Sequence, residues 1–431
     1  MKRIIYMITR LFLKIVIYLY YGVLSIRDDI KTKKYTNVKI KNEFTGGKVM
    51  LLALYEKSLL RNDTLELLKE AKRNGVFVIA VNTLRLEEQN YPSELADVYI
   101  ERDNYGRDFG SYKAGMKYFF DKNFDEKCER LLIINDSIFF SKIGLSEFVR
   151  NLFETNVEVL GATENSQHSH HLGSFCISVA GKITRNAKFK SFWSKYKLSN
   201  VRPLVIKRGE FGLSKLLKSL VSSEHHFKSI FNVSFMEKKL NNDKKFYENY
   251  YYYRREGESS WRNRSITGLI ANDEVLSSYY NKYILANQRA EKLAFASKDI
   301  NEFNVIAKEY ENYESSKVDY LEAVVFFKNT VHKESILSEQ FKKRLISLYL
   351  DEFTLGSQIH INCLALHHCG LPIIKLDLMF RCVCNMNDII KLRDQLEESQ
   401  REEFMTLILA RLCGDKFLVG LNRLAYQFGI L

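Results

Sequence analysis

Short apolar runs punctuate the chain, and their lengths separate strands from helices. Residues 48–55 (KVMLLALY), 76–81 (VFVIAV), 98–100 (VYI), 130–135 (RLLIIN) and 157–162 (VEVLGA) are nearly continuous, as in strands covered on both faces. Residues 171–179 (HLGSFCISV) follow as a further strand. Asn62-Asp63-Thr64 supplies a cap for a helix running to about Arg73, where Asn74-Gly75 stops it. A second helical run extends from Tyr112 to Phe120, and Leu213 to Leu220 is a third. Strand, helix and strand in alternation predict βαβ units and an α/β fold around a parallel sheet. Phe189, Phe192, Trp193 and Tyr196 recur at helical spacing and read as core.

From about Ser222 the sheet-like pattern disappears. Residues 276–293 and 300–313 read as helices, and 246–253 (FYENYYYY) as an aromatic helix face that packs. Residues 392–413 read as one charged amphipathic helix, and 418–431 as an apolar tail docked on the body. The expected organisation is an N-terminal helix over 1–35, an α/β core over 45–221, a mainly helical insertion or second domain over 222–350, and a segment over 351–431 that completes the core. Residues 1–25 are strongly apolar, but Arg10 and Lys14 interrupt them, so no uncharged run is long enough to span a bilayer. On a helix Arg3, Arg10 and Lys14 fall in one narrow stripe, which fits a helix lying in the interface of an anionic membrane. The same helix could instead pack on the protein's own core.

Composition narrows the classes. The chain has 431 residues, 46% of them hydrophobic, which is globular and ample for two or three domains. Its net charge of +13 calls for an anionic partner. With no zinc pattern and no helix-turn-helix signal, a membrane surface or a phosphorylated small molecule is expected, and no nucleic acid. Seven scattered cysteines, none in a CxxC pair, read as reduced thiols of a cytosolic protein.

The candidate chemistry sits between strand and helix. Asn104-Tyr105-Gly106-Arg107-Asp108-Phe109-Gly110 is a polar glycine turn where an open α/β sheet meets its ligand. Gly106 and Gly110 allow close backbone approach, Arg107 suits phosphate, and Asn104 and Asp108 can accept from a sugar or base. Asn135-Asp136-Ser137 ends a buried strand, where Asp136 could hold Mg²⁺ or Mn²⁺. His168, His170 and His171 lack the spacing of a tetrahedral zinc site.

The ordered series NYGRDFGSY, LIINDSIFF, HLGSF, FKSFW and KRGEFGLS, with MLLALYEK before it and GLPIIK late in the chain, resembles the rhamnan synthesis protein F family of bacterial glycosyltransferases. The resemblance covers roughly 48–217. It implies a GT-A-like nucleotide-binding fold, a nucleotide-sugar donor and a lipid-linked glycan acceptor. It places Tyr55, Asn104, Gly106, Arg107, Asp108, Asn135, Ser137, His171 and Ser174 against the donor, and makes Glu210 the general base. Asp136 takes the place of the acidic metal motif, with His360 as a late metal ligand. Two departures stand out: the acidic motif has one carboxylate, and Gly173 replaces the bulkier polar residue expected after His171-Leu172.

The expected function is therefore an inverting glycosyltransferase of surface-polysaccharide assembly, possessing a base and no evident nucleophile. It would work on the inner face of the plasma membrane, with rhamnose the sugar that the family name implies. The alternative is a noncatalytic membrane-associated scaffold subunit that keeps the nucleotide-sugar fold.

Overall fold

A computed structural model describes residues 2–31, 35–166, 169–256, 273–295, 325–326 and 336–427. Its strands are β1 (Thr36–Lys41), β2 (Gly47–Leu54), β3 (Phe77–Asn82), β4 (Val98–Arg102), β5 (Cys128–Asn135), β6 (Ile138–Phe140), β7 (Val159–Asn165), β8 (His171–Leu172), β9 (Cys176–Ala180), β10 (Phe227–Phe231) and β11 (Ile373–Lys375). Among the described residues, the main sheet runs β1-β4-β3-β2-β5-β9-β7-β10, with β8 attached to β7. The four central strands β4, β3, β2 and β5 are parallel. Strand β9 is antiparallel to both β5 and β7, and β10 returns parallel to β7.

This is the expected α/β class, and the apolar runs explain it. Leu51 and Ile133 from the central strands, Phe109, Tyr112 and Met116 from the helix Arg107–Asp121, and Trp193 share one buried cluster. Burying each such side chain contributes about 1.5–3 kcal/mol. Phe109 stacks on Trp193 and Tyr196, so the aromatic stripe is core as its spacing predicts. Carboxyl ends of the parallel strands therefore open on one edge, where β2, β4 and β5 deliver their loops.

Residues 1–232 and 356–431 form one compact unit, and 233–355 a second. The second contains the helices Val233–Asn242, Lys244–Asn249, Glu274–Phe295 and Ile336–Phe353. Its aromatic run packs: Phe246 and Tyr250 are buried, and Tyr250 lies against Tyr349. Arg254 pairs with Glu352 at 2.6 Å. The helix expected over 300–313 lies outside the described residues.

Five expectations are corrected. The sheet does not end before Ser222, because Phe227–Phe231 adds an edge strand beside β7, too short and too polar in the middle to announce itself. The strand expected over 171–179 is two strands, since Gly173 to Phe175 turn the chain. The helix expected over 392–413 is two, Met386–Asp394 and Glu398–Leu409, and an Asn385–Asp388 capping box starts the first. Cys382 and Cys413 form a disulfide; 31 residues of separation hide the pairing from any local pattern. Nor is the tail tightly docked: in the helix Gly420–Gln427 Tyr426 packs on Phe380, but Leu421 is 83% exposed.

The N-terminal helix spans Lys2–Lys31; the side chains of Arg3, Arg10 and Lys14 lie outside the described residues. Farther along, Tyr21 packs with Val201 and Leu204, whereas Leu19, Val23, Ile26 and Ile30 are each more than 60% exposed. Among the described residues no helix is long and apolar enough to cross a membrane.

Two glycines separate space from propensity. A Cβ on Gly110 would run into the Tyr105 carbonyl and the Arg102 guanidinium, whereas one on Gly22 meets nothing within 4 Å. Gly110→Ala is expected to lower stability by about 2–3 kcal/mol through overpacking. Gly22→Ala is expected to raise helix stability by up to about 1 kcal/mol. Urea denaturation of the two variants checks both signs.

Candidate active site

The glycine turn after β4 is locked from three sides. Gly106 adopts a left-handed conformation (φ +88°), and its N–H donates to Asn200 Oδ1 at 2.8 Å. Arg107 is also left-handed (φ +52°), a rare state for a side-chain-bearing residue. Its Nε donates to the Asn200 carbonyl at 2.7 Å. Asp108, at the start of the helix, accepts from Asn135 Nδ2 at 2.9 Å, which ties the turn to the end of β5. Asn104 is exposed at the tip.

The β5 end is built by register. Ala53 pairs with Asn135 across β2 and β5, so Asp136 falls beside Tyr55. Asp136 donates its N–H to the Ala53 carbonyl at 3.1 Å, and its carboxylate accepts the Tyr55 N–H. The Tyr55 side chain itself is 60% exposed. Asn135 Oδ1 accepts from Ser137 Oγ at 2.7 Å, completing a local turn.

Next to Asp136 lies a cluster that the sequence did not reveal. Arg61 Nε is 3.0 Å from both Glu56 and Asp63, and its Nη2 donates to the Ile138 carbonyl at 3.1 Å. Asp63 therefore does not cap its own helix; it accepts the Phe140 N–H at 2.9 Å. One guanidinium serves three buried carboxylates. Burial outweighs Arg61 and pushes Glu56 up to about 8, Asp136 to about 7 and Asp63 to about 6.

A third group faces the turn from late in the chain. Strand β11 pairs with β6, Lys375 opposite Ile138, which brings Lys375 Nζ to 3.0 Å from Ser137 Oγ. The ammonium lies 4.3 Å from the centroid of the Phe175 ring. Asp377 contacts His360 Nε2 at 3.0 Å and pairs with Arg381. Burial opposes its ionisation, yet His360, Arg381 and Lys375 hold Asp377 well below the usual carboxylate range. Burial holds Asp108 up, against the pull of Lys375 and Arg107.

Glu210 ends a π-helical turn, Ile206–Glu210, that runs into the helix Phe211–Leu220. Such turns shift a side chain's direction within a helix and recur at functional sites. Glu210 lies 3.3 Å from His171 Nε2 and accepts from Ser174 Oγ at 3.5 Å. His171 Nδ1 contacts the Ser169 carbonyl at 2.7 Å, which orients the ring. The Ser174 carbonyl accepts from Tyr112 of the glycine-turn helix at 3.1 Å.

Of the residues expected from sequence, Asp108 and Asn135 thus touch, as do His171, Ser174 and Glu210. Asp136 is engaged by the Tyr55 amide and lies in electrostatic range of Arg61, while His360 sits between Ser357 and Asp377. Among the described residues no group of three His, Cys, Asp or Glu is placed to hold a metal. The single carboxylate of Asp136, already accepting an amide, does not make an all-protein cage of the kind that holds a divalent cation by several oxygens. Gly173, read as a departure, has a structural reason: a Cβ there would strike the Phe175 ring. His168 lies outside the described residues, and His170 pairs with Glu164 at 3.2 Å.

Comparisons with known proteins align with this region. Residues 76–256 match the model of the family described as rhamnan synthesis protein F, as the motifs anticipated. The uncharacterized protein y4gN of Sinorhizobium fredii is 26% identical over 149 residues, 34% of this chain and 38% of that protein. Virulence protein VirA of Vibrio anguillarum is 40% identical over 79 residues, 18% of this chain and 24% of that protein. The chain spans less than two fifths of the length of these curated relatives. Among solved structures, the glycosyltransferase GlyE of Streptococcus pneumoniae TIGR4 is 10% identical with a TM-score of 0.25, covering 48% of this chain and 51% of that one.

The Arg61 cluster yields a signed prediction. Glu56 and Asp63 keep protons in the folded state that the unfolded chain releases, so their stabilisation is complete below about pH 4 and is lost as pH rises towards 8. Urea midpoints should therefore fall between pH 6 and pH 8. Arg61→Met should cost about 3–5 kcal/mol at pH 7 and steepen that fall, because the buried carboxylates lose the cation they share.

Proposed function

We propose, from the match of residues 76–256 to the rhamnan synthesis protein F family, that this chain is a GT-A-like glycosyltransferase of surface-polysaccharide synthesis. The observation that carries the reading is the placement of Glu210. A π-helical turn sets its carboxylate against His171 and Ser174, on the site edge shared with the Asp108 turn. Glycosyl transfer needs a base for the acceptor hydroxyl and cations for the leaving diphosphate. Glu210 takes the proton, with His171 and Ser174 orienting it. Asn104, Gly106, Arg107 and Asp108 meet the donor, with Tyr55, Asn135 and Ser137 behind them. The assignment of Glu210 as a base, with no residue assigned as a nucleophile, favours inversion at the anomeric carbon. The family name favours rhamnose as the sugar.

The acceptor is a lipid-linked glycan on this reading. The outward apolar face of the helix Lys2–Lys31, with Leu19, Val23, Ile26 and Ile30, rests on an anionic bilayer at the inner face of the plasma membrane. A net charge of +13 supports that placement. One observation favours a noncatalytic scaffold instead: the lone carboxylate of the acidic motif is spent on the Tyr55 amide.

Glu210→Gln distinguishes the two. In an enzyme it should cut sugar transfer about 10²–10⁴-fold while leaving nucleotide-sugar binding within a few-fold, measured by product formation and calorimetry. A scaffold would complement a deletion strain undiminished with Glu210→Gln. Product NMR should show an inverted anomeric configuration. Leu19→Ser with Ile26→Ser should reduce co-sedimentation with anionic vesicles several-fold and leave the melting temperature in place.

A further inference from the structure

We infer that a nucleoside diphosphate is held here by a clamp of side-chain cations, Arg107, Lys375 and Arg381, and not through a divalent cation bound at Asp136. The inference rests on the glycosyltransferase reading and says how its donor is gripped.

Arg107 and the Lys375–Arg381 segment come from distant parts of the chain, and Asn135 joins them: it bonds Asp108 at 2.9 Å and Ser137 Oγ at 2.7 Å, and Ser137 Oγ accepts from Lys375. Arg381 is within electrostatic range of both Arg107 and Lys375. Lys375 is fixed by its strand pairing, by Ser137 Oγ at 3.0 Å and by the Phe175 ring at 4.3 Å. That ring can lie there because Gly173 has no Cβ to displace it. Arg381 is aimed by Asp377, which His360 holds in turn at 3.0 Å. Arg107 is aimed by the Asn200 carbonyl and by a left-handed backbone.

Among the described residues, Asp377, Asp108 and Glu210 act on Lys375, and burial holds Asp108 up towards its neutral form. Burial also pushes Lys375 and Arg107 down. Burying a cation is costly, and an anionic ligand beside it offsets that cost. A diphosphate brings at least two negative charges and oxygens suited to guanidinium forks. The chemistry that a metal would supply to such a group is thus available from side chains, next to the turn where the donor is expected.

Calorimetry on the full chain tests this with UDP, GDP and dTDP, each in excess EDTA and then in MnCl₂. One diphosphate should bind in EDTA with a Kd within about three-fold of its value in Mn²⁺. Lys375→Met and Arg381→Gln should each weaken it about ten- to hundred-fold, the range of a charged hydrogen bond. Lys375→Arg, which keeps the charge, should stay within a few-fold, and thermal melts should show all three variants folded. Arg73→Gln, a surface arginine paired with Glu70, should change nothing. Binding that requires Mn²⁺ and ignores Lys375→Met would overturn the clamp and leave the transferase reading standing. No binding of any diphosphate or nucleotide sugar by folded protein would overturn both.

Discussion

Charge buried at the carboxyl edge of the sheet is the constraint that the rest of this structure serves. Two charged clusters lie there. Around Arg61, three carboxylates share one guanidinium, and burial leaves Glu56, Asp136 and Asp63 reluctant to ionise. Around Asp377, His360, Arg381 and Lys375 hold the carboxylate ionised against burial. Ser137 follows Asp136 directly and touches Lys375, so the two clusters meet on one short loop after β5. Ion pairs in low dielectric are rarely a net gain over apolar packing, so such an edge is better explained by a ligand than by stability.

The scaffold that holds this edge is apolar and ordinary in its energetics. Parallel strands β4, β3, β2 and β5 are covered by helices, and their side chains share the cluster that contains Phe109 and Trp193. Strand β9, running the other way beside β5, returns the chain so that the His171–Ser174 segment crosses the open edge. The late strand β11 then adds Lys375 from more than two hundred residues away. Each element is held by backbone pairing, which leaves side chains free to point into the site.

Local backbone economy repeats across the site. Gly110 lies so close to Arg102 and the Tyr105 carbonyl that no side chain fits, and Gly173 yields its space to Phe175. The left-handed Arg107 and the π-helical turn before Glu210 are conformations that helices and strands avoid. Both lie near Asp108: Arg107 precedes it and Glu210 is within electrostatic range of it. Unusual backbone thus coincides with candidate chemistry, a pattern that packing alone does not require.

Much of this was legible in residues 48–217. Continuous apolar runs announced the central strands, glycines marked the turn after β4, and the ordered motifs pointed to the family that residues 76–256 match. Local period and turn chemistry are properties of neighbours in sequence, so sequence carries them. The lone carboxylate of Asn135-Asp136-Ser137 was visible too, but its engagement with Tyr55 follows from the register of β2 against β5. Arg61 among three carboxylates, Lys375 over Phe175, Asp377 between His360 and Arg381, and the Cys382–Cys413 bridge join residues that no spacing rule relates. The sequence by itself determined the central strands, the turn after β4 and the types of residue offered to a ligand. Only the tertiary structure decided which charges meet, because electrostatic partners are chosen by distance in space and by burial, and neither is written in a local pattern.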